Sequence, residues 1–153
     1  SMQTNFQIKR KDNKNFRNFI VQIGERMLID RNEDFYSELT EWVDGILALM
    51  KNGKSYFSAQ VGFTPFFGVL ENEKVEFETV EGERFSADFM EVVSGTIIFL
   101  YEQAKDNSFF EKDVDLFVDK ADQLMAGFRF RFKNVYKGFY EYLKMRKLLT
   151  ALN

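Results

Sequence analysis

Six glutamates crowd into the thirteen residues between positions 71 and 83, at a spacing that could bring carboxylates together. One residue separates Glu76 from Glu78, so a strand would place both side chains on the same face. Two carboxylates facing one cleft can serve as acid and base, as they do in glycoside hydrolysis. Such pairs also arise by chance in an acidic chain, and glutamate at alternate positions suits the solvent face of a strand. The six are Glu71, Glu73, Glu76, Glu78, Glu81 and Glu83.

Four aspartates form a second acidic group in the segment that follows. Asp113, Asp115, Asp119 and Asp122 lie opposite a helical stripe of Phe110, Val114, Phe117, Ala121 and Leu124. A charged helix face is most simply a solvated one. It is also what a protein that binds a basic partner would present, because complementary charge speeds association.

The residue types most used in catalysis are missing from this chain, which has no histidine and no cysteine. Histidine is the commonest general base and metal ligand. Without cysteine there are no disulfides, thiolate zinc sites or cysteine nucleophiles. The two glycines of segment 62–68 lack the spacing and the lysine of a phosphate-binding loop. The sequence therefore predicts a protein without catalytic residues, bound metal or cofactor.

Charge is distributed unevenly along the chain. Residues 128–153 contain seven basic residues and one acid, Glu141, a net charge of +6. Since the whole chain carries −3, residues 1–127 carry −9. The basic segment either folds back on the acidic surface or binds a partner of its own. Its alternating Phe and Arg residues would suit nucleic acid, but a pI of about 5.2 makes that partner an unattractive one.

The first half of the chain predicts strands on either side of one well-marked helix. Short apolar runs within 5–30 predict two or three strands, although 16–23 could also be helical. Apolar residues at helical spacing then predict a helix that is capped by Asn32 and ends at Gly53. Strands are expected over 56–63, 66–70 and 74–80, with Val75, Phe77 and Thr79 facing inward.

The second half predicts three helices and one further strand. Ser86 is a candidate cap for a helix that reaches Lys105, and Ser108 opens a second helix that Gly127 ends. The alternating segment 128–132 predicts a strand, and 134–152 a final helix. The expected class is α+β, a single layer of antiparallel sheet packed on three to four helices.

Length and composition predict one domain over residues 1–153. Ser1 ahead of Met2 suggests the remnant of a removed tag, with residues 1–4 a flexible tail. The longest apolar run, 96–101, is much shorter than the roughly 20 residues that a membrane span requires. These features predict a cytoplasmic protein without a membrane partner.

Residues 34–89 arrange these elements in a definite order. The first helix contains Phe35-Tyr36-x-x-Leu39-x-x-Trp42 and stops at Gly53, the strands 56–63 and 66–70 are joined by Thr64-Pro65, and a strand over 73–80 precedes Gly82-x-x-Phe85 and another helix. In this layout the chain resembles the immunity proteins that bacteria encode beside polymorphic toxins. The resemblance implies a small, acidic, cytoplasmic, non-enzymatic protein that binds a nuclease or other toxin domain. The basic segment 128–153 departs from that pattern.

The hypothesis from the sequence is therefore a toxin-neutralising immunity protein. Its partner-binding residues would be the six glutamates of 71–83 or the aspartates of 113–122, placed over a basic cleft of the toxin. Two alternatives remain open, namely a carrier with an aromatic pocket for a small ligand and a regulatory adaptor that forms homo-oligomers through Phe128, Phe130 and Phe132.

Overall fold

The computed structural model describes residues 5–59 and 62–145 and confirms the α+β class. Seven strands and four helices lie in this part of the chain. They are β1 (Phe6–Arg10), β2 (Phe19–Ile23), β3 (Arg26–Ile29), α1 (Phe35–Asn52), β4 (Lys54–Phe57), β5 (Phe66–Glu71), β6 (Lys74–Thr79), β7 (Arg84–Asp88), α2 (Phe89–Ala104), α3 (Glu111–Arg131) and α4 (Tyr136–Met145). The expected tail at 1–4 lies outside the described residues.

The strands divide into two antiparallel sheets rather than the single sheet that the sequence led us to expect. One has the order β1-β2-β3 and the other β4-β5-β6-β7, so each is a meander of consecutive strands. The segment 16–23 could have been a strand or a helix. Its last five residues form the strand β2, which pairs with β1 and β3. The side chain of Asn5 donates to the Ser86 carbonyl at 3.2 Å and that of Arg26 donates to the Arg84 carbonyl, which joins the two sheets along β7.

Helix α1 packs against the inner face of the four-stranded sheet, and Trp42 lies at the centre of that contact. The Trp42 ring centroid lies 5.5 Å from that of Phe57 and 5.8 Å from that of Phe77. Its indole N–H donates to Thr96 of α2 at 3.1 Å, so this buried polar atom has a partner. As the sequence predicts, the helix ends at Gly53, whose φ of 78° is left-handed.

A buried carboxylate on α1 holds the segment that leads into β5. Glu38, which is 1% exposed, accepts from the backbone N–H of Glu33 at 2.6 Å, Asp34 at 2.7 Å and Phe63 at 3.1 Å. Gly62 has a φ of 124°, and a Cβ at this position would overlap the Glu38 carboxylate. Glycine thus permits the close approach that fixes the entry to β5.

Three predicted helix caps are wrong, although the helices themselves form. The cap of α1 is Asp34, because Asn32 is buried and instead pairs with the start of β2, accepting from the Phe19 N–H at 2.6 Å. The cap of α2 is Asp88, because Ser86 lies within β7. Ser108 accepts a hydrogen bond from Arg17 at 3.0 Å rather than capping α3.

Helix α3 is longer than predicted, and the strand expected over 128–132 is wrong. Gly127 lies inside the helix, where an added Cβ would be 2.9 Å from the Met50 Cε of α1. Phe128 and Phe132, four residues apart, turn to one side, and the Phe128 ring stacks on Phe139 of α4 at 4.0 Å. Gly127 therefore allows α3 to pack closely on α1. Packing of Phe128 against the core then favours a helical conformation for the segment that follows.

The C-terminal helix is described as far as Met145. Phe139 and Leu143 of this helix are buried, whereas Tyr142 is exposed. The predicted continuation over 146–152, like the predicted strand positions 60 and 61, lies outside the described residues. No helix in the described part of the chain is long and apolar enough to span a bilayer.

Candidate functional site

The glutamates of 71–83 lie around β6 but do not form one row. Glu76 and Glu78 point away from α1, because they alternate with the buried residues Val75 and Phe77, as the sequence predicts. Glu71 and Glu73 lie at the β5–β6 turn, whereas Glu81 and Glu83 lie at the β6–β7 connection. At about 3.3 Å a residue, the six-residue strand places these two groups roughly 20 Å apart.

A basic residue that the sequence analysis did not single out sits between the two central glutamates. The Arg84 guanidinium lies 2.9 Å from the carboxylate of Glu78 and 3.5 Å from that of Glu76. Strand β7 sets this arrangement, since its register places Arg84 opposite Glu78. Arg26 similarly lies 3.6 Å from Glu83. The surface is therefore mixed in charge at its centre and acidic toward its ends.

Next to these charges lies an exposed aromatic pair. Tyr56 of β4 and Phe67 of β5 are directly opposite in the ladder, with ring centroids 4.6 Å apart, and are 51% and 52% exposed. Val69 continues the apolar strip on β5 and is 47% exposed. Phe67 is opposite Glu78, and Val69 is opposite Glu76. We call Tyr56, Phe67, Val69, Glu76, Glu78 and Arg84 together the sheet surface.

The outer side of β5 and β6 is also concave. A shallow cavity of about 400 Å³ is lined by residues of β5, β6 and β7, among them Phe67, Val69, Glu76 and Ser86. Its floor is an antiparallel sheet whose opposite face is packed on α1. Apolar and charged groups side by side on such a floor suit recognition of another molecule.

The aspartates of α3 divide into three that face outward and one that does not. Asp115, Asp119 and Asp122 are exposed at i, i+4 and i+7, which is one side of the helix. Asp113 is half-buried beside Tyr36, and burial raises the pKa of that phenol. Asp122 borders Tyr101, whose hydroxyl is 3.4 Å away, and burial together with this carboxylate raises the pKa of Tyr101 to about 12.

The two acidic groups lie on different sides of the molecule. Helix α1 contacts the inner face of the four-stranded sheet through Trp42 and contacts α3 through Tyr36, whose ring stacks on Phe117 at 6.3 Å. The sheet surface and the outward aspartates each face away from α1. One compact ligand therefore cannot use both sets of predicted residues at once.

The basic segment does not neutralise the sheet surface in the part of the chain that is described. Over residues 128–145 the ion pair that forms is local, between Lys144 and Glu141 at 3.2 Å. Arg131 donates to the Met50 carbonyl at 3.3 Å. Arg129, Lys133 and Lys137 surround an open cleft with Phe130 and Tyr136. Arg129, Lys133 and Lys137 therefore form no ion pair with a carboxylate of the described residues.

The sheet surface offers charged and apolar groups side by side for contact with another molecule. Across residues 5–59 and 62–145, no three acidic side chains converge as a metal site would require. Glu76 and Glu78 lie on an open surface, both in contact with one guanidinium. Comparisons with protein-family models, curated proteins and solved structures found no match for this chain.

Proposed function

We propose that this chain is a non-enzymatic binding protein whose sheet surface recognises a basic protein partner. The observation that supports this best is the pairing of two half-exposed rings, Tyr56 and Phe67, on a sheet whose other face is fully packed. Aromatic residues dominate the energy of protein interfaces, because each buries a large area at a small cost in side-chain entropy. Exposed rings beside charged groups fit the anchor and rim of such an interface.

The charges around the rings favour a basic partner. Glu71, Glu73 and Glu81 are exposed at the two ends of the sheet surface and have no ion-pair partner among the described residues. The chain as a whole carries −3. An acidic rim of this kind attracts a basic surface over a range set by the ionic strength and raises the rate of association.

We further propose that the partner is a bacterial toxin domain, which this chain neutralises in the cytoplasm by covering its active or binding surface. The resemblance of residues 34–89 to immunity proteins supports this choice, and so does the lack of histidine and cysteine in the chain. A nuclease would suit the acidic rim, because its cleft must be basic to hold a phosphate backbone. The ligand-carrier alternative stays a prediction.

The experiment is co-expression of the chain with the product of the neighbouring gene, followed by measurement of growth and isolation of the complex. We expect the wild type to restore growth and to co-purify with the toxin. The variant Phe67→Glu should lose both, because a charge would replace an apolar anchor. Phe110→Glu is the matched control, since Phe110 is 74% exposed at the start of α3, away from the sheet surface.

Two outcomes would overturn the proposal. One is the absence of both rescue and complex when every adjacent product is harmless by itself. The other is a complex that Phe67→Glu leaves intact while Phe110→Glu breaks it, which would remove the sheet surface from recognition. Circular dichroism of both variants establishes that each one folds.

A further inference from the structure

Helix α3 presents an outward stripe on which the charges are separated by sign. Asp115, Asp119 and Asp122 are exposed along its first two-thirds, and Arg129 is exposed in its last turn. Ala126 lies between the two groups and is also exposed. The spacing of i, i+4, i+7, i+11 and i+14 keeps all five on one side of the helix. Lys133, in the turn two residues beyond the end of the helix at Arg131, is exposed as well.

The order of charges along α3, acidic and then basic, is complementary to the same order read in the opposite direction. Asp119 and Lys133 are each seven residues from Ala126, while Asp122 and Arg129 are four and three residues from it. If a second copy of α3 lay antiparallel with the two-fold axis near Ala126, Asp119 would face Lys133 of the second copy, and Asp122 would face Arg129. A two-fold axis makes each of these pairs twice. The small alanine at the axis permits close approach of the helices.

Arg129 and Lys133 are open to such contacts, whereas Asp122 already accepts from the Tyr101 hydroxyl at 3.4 Å through one of its carboxylate oxygens. The described residues place no carboxylate within ion-pair distance of Arg129 or Lys133, and the Arg129 guanidinium lies 5.6 Å from the centre of the Tyr136 ring. Asp119 is held in place by Gln123, whose amide donates to it at 2.8 Å. Phe130, which is 75% exposed beside the basic end, supplies apolar area that a second copy would cover.

We propose that α3 is a self-association surface, through which two copies of this chain pair antiparallel across Ala126. The partner is identified by charge, because the stripe fits its own reversed copy better than a surface of either single sign. The sheet surface faces away from this contact, so a dimer would present two sheet surfaces and the two proposals are independent. Since the pairs are exposed and only one large apolar residue per chain is covered, the dimer is weak and sensitive to salt.

The test uses charge exchange at Asp119 and Lys133, read by sedimentation equilibrium over a range of concentrations. At low salt, the wild type should shift from 18.1 kDa toward twice that mass as the concentration rises, and 0.5 M NaCl should reverse the shift. Asp119→Lys alone and Lys133→Asp alone should each weaken the dimer at least tenfold, because like charges then face each other twice.

The charge exchange also predicts two results in which the dimer forms again. Neither is expected if the charges act only within one helix. The double variant Asp119→Lys, Lys133→Asp should restore the dimer to within about threefold of wild type, because every facing pair is again of opposite sign. A mixture of the two single variants should form a heterodimer although neither pairs with itself. Glu41→Lys, an exposed charge change on α1, is the control and should leave the mass unchanged.

Acids near the start of a helix and bases near its end also favour the helix itself. If that is their whole role, the single variants will lower the melting temperature without any change in mass. A wild type that stays at 18.1 kDa at millimolar concentration and low salt overturns the proposal. So does a dimer that the single variants leave intact, or one that the double variant fails to restore.

Discussion

Two aromatic pairs on the same two strands differ chiefly in what covers them. Phe57 and Phe66 face α1, are completely buried, and have ring centroids 4.7 Å apart. The neighbouring pair, Tyr56 and Phe67, points the other way with centroids 4.6 Å apart and is half-exposed. Cross-strand pairing is therefore equally close on both faces. The inner pair contributes to stability through the helix above it, whereas the outer pair retains apolar area that a partner could cover.

The largest loss of stability is expected from truncation on the inner face. Phe57→Ala removes a ring that contacts Trp42, Phe66 and Phe77, so we expect the free energy of unfolding to fall by about 3–5 kcal/mol. Urea denaturation followed by circular dichroism measures this change. A loss below about 1 kcal/mol would mean that the inner face is loosely packed, and the contrast between the faces would disappear.

The packing of the inner face can also be tested by adding atoms. Gly45 of α1 lies over the Phe57 ring, and a Cβ at this position would overlap it. We expect Gly45→Ala to lower the free energy of unfolding by about 1–2 kcal/mol, as overpacking outweighs the better helix propensity of alanine. Gly138→Ala in α4 is the matched control, since a Cβ there meets open space, and it should stabilise the protein by up to about 1 kcal/mol. Equal effects of the two substitutions would contradict tight packing over Phe57.

The ion pairs of the outer face should matter much less for folding. Arg84 contacts Glu76 and Glu78, but its side chain is 69% exposed and the two glutamates are about half-exposed. We expect Arg84→Ala to change the free energy of unfolding by less than about 1 kcal/mol, and high salt to remove the difference. Thermal melts at low and high ionic strength provide the measurement. A loss above about 2 kcal/mol would show that the outer face takes part in holding the sheet together.

The inner face was predictable from the sequence wherever local pattern and tertiary packing agree. The alternation of β6 predicted that Val75 and Phe77 lie inside, and the helical spacing of Leu39, Trp42 and Ile46 predicted the buried side of α1. The strand expected over 128–132 is wrong because an alternating Phe-Arg segment also fits a helix when rings four residues apart, here Phe128 and Phe132, pack inward. Whether it does so depends on Phe139 and Met50, which are distant in sequence.

The candidate site was predictable only in part. The glutamates were found because they are charged and regularly spaced. Tyr56 and Phe67 were missed because aromatic residues in a strand are usually core. Arg84 was missed because only the registers of β4 with β5, β5 with β6 and β6 with β7 bring the three onto one face. The adjacent Phe66 and Phe67 did hold a signal, since two consecutive strand residues must point to opposite faces.

A similarly small effect on stability, and the most informative result, is expected from truncation of the outer pair. Phe67→Ala and Tyr56→Ala should each lower the free energy of unfolding by less than about 1 kcal/mol, because about half of each ring is already in water. Binding of the proposed partner, measured by titration calorimetry, should weaken by about 2 kcal/mol or more for at least one of them, as at other aromatic anchors. Phe110→Ala, which truncates a still more exposed ring elsewhere, should leave binding unchanged. If truncation of either ring lowered the free energy of unfolding as much as Phe57→Ala and left binding unchanged, the two rings would serve the stability of the fold. The proposal that the sheet surface binds a partner would then be wrong.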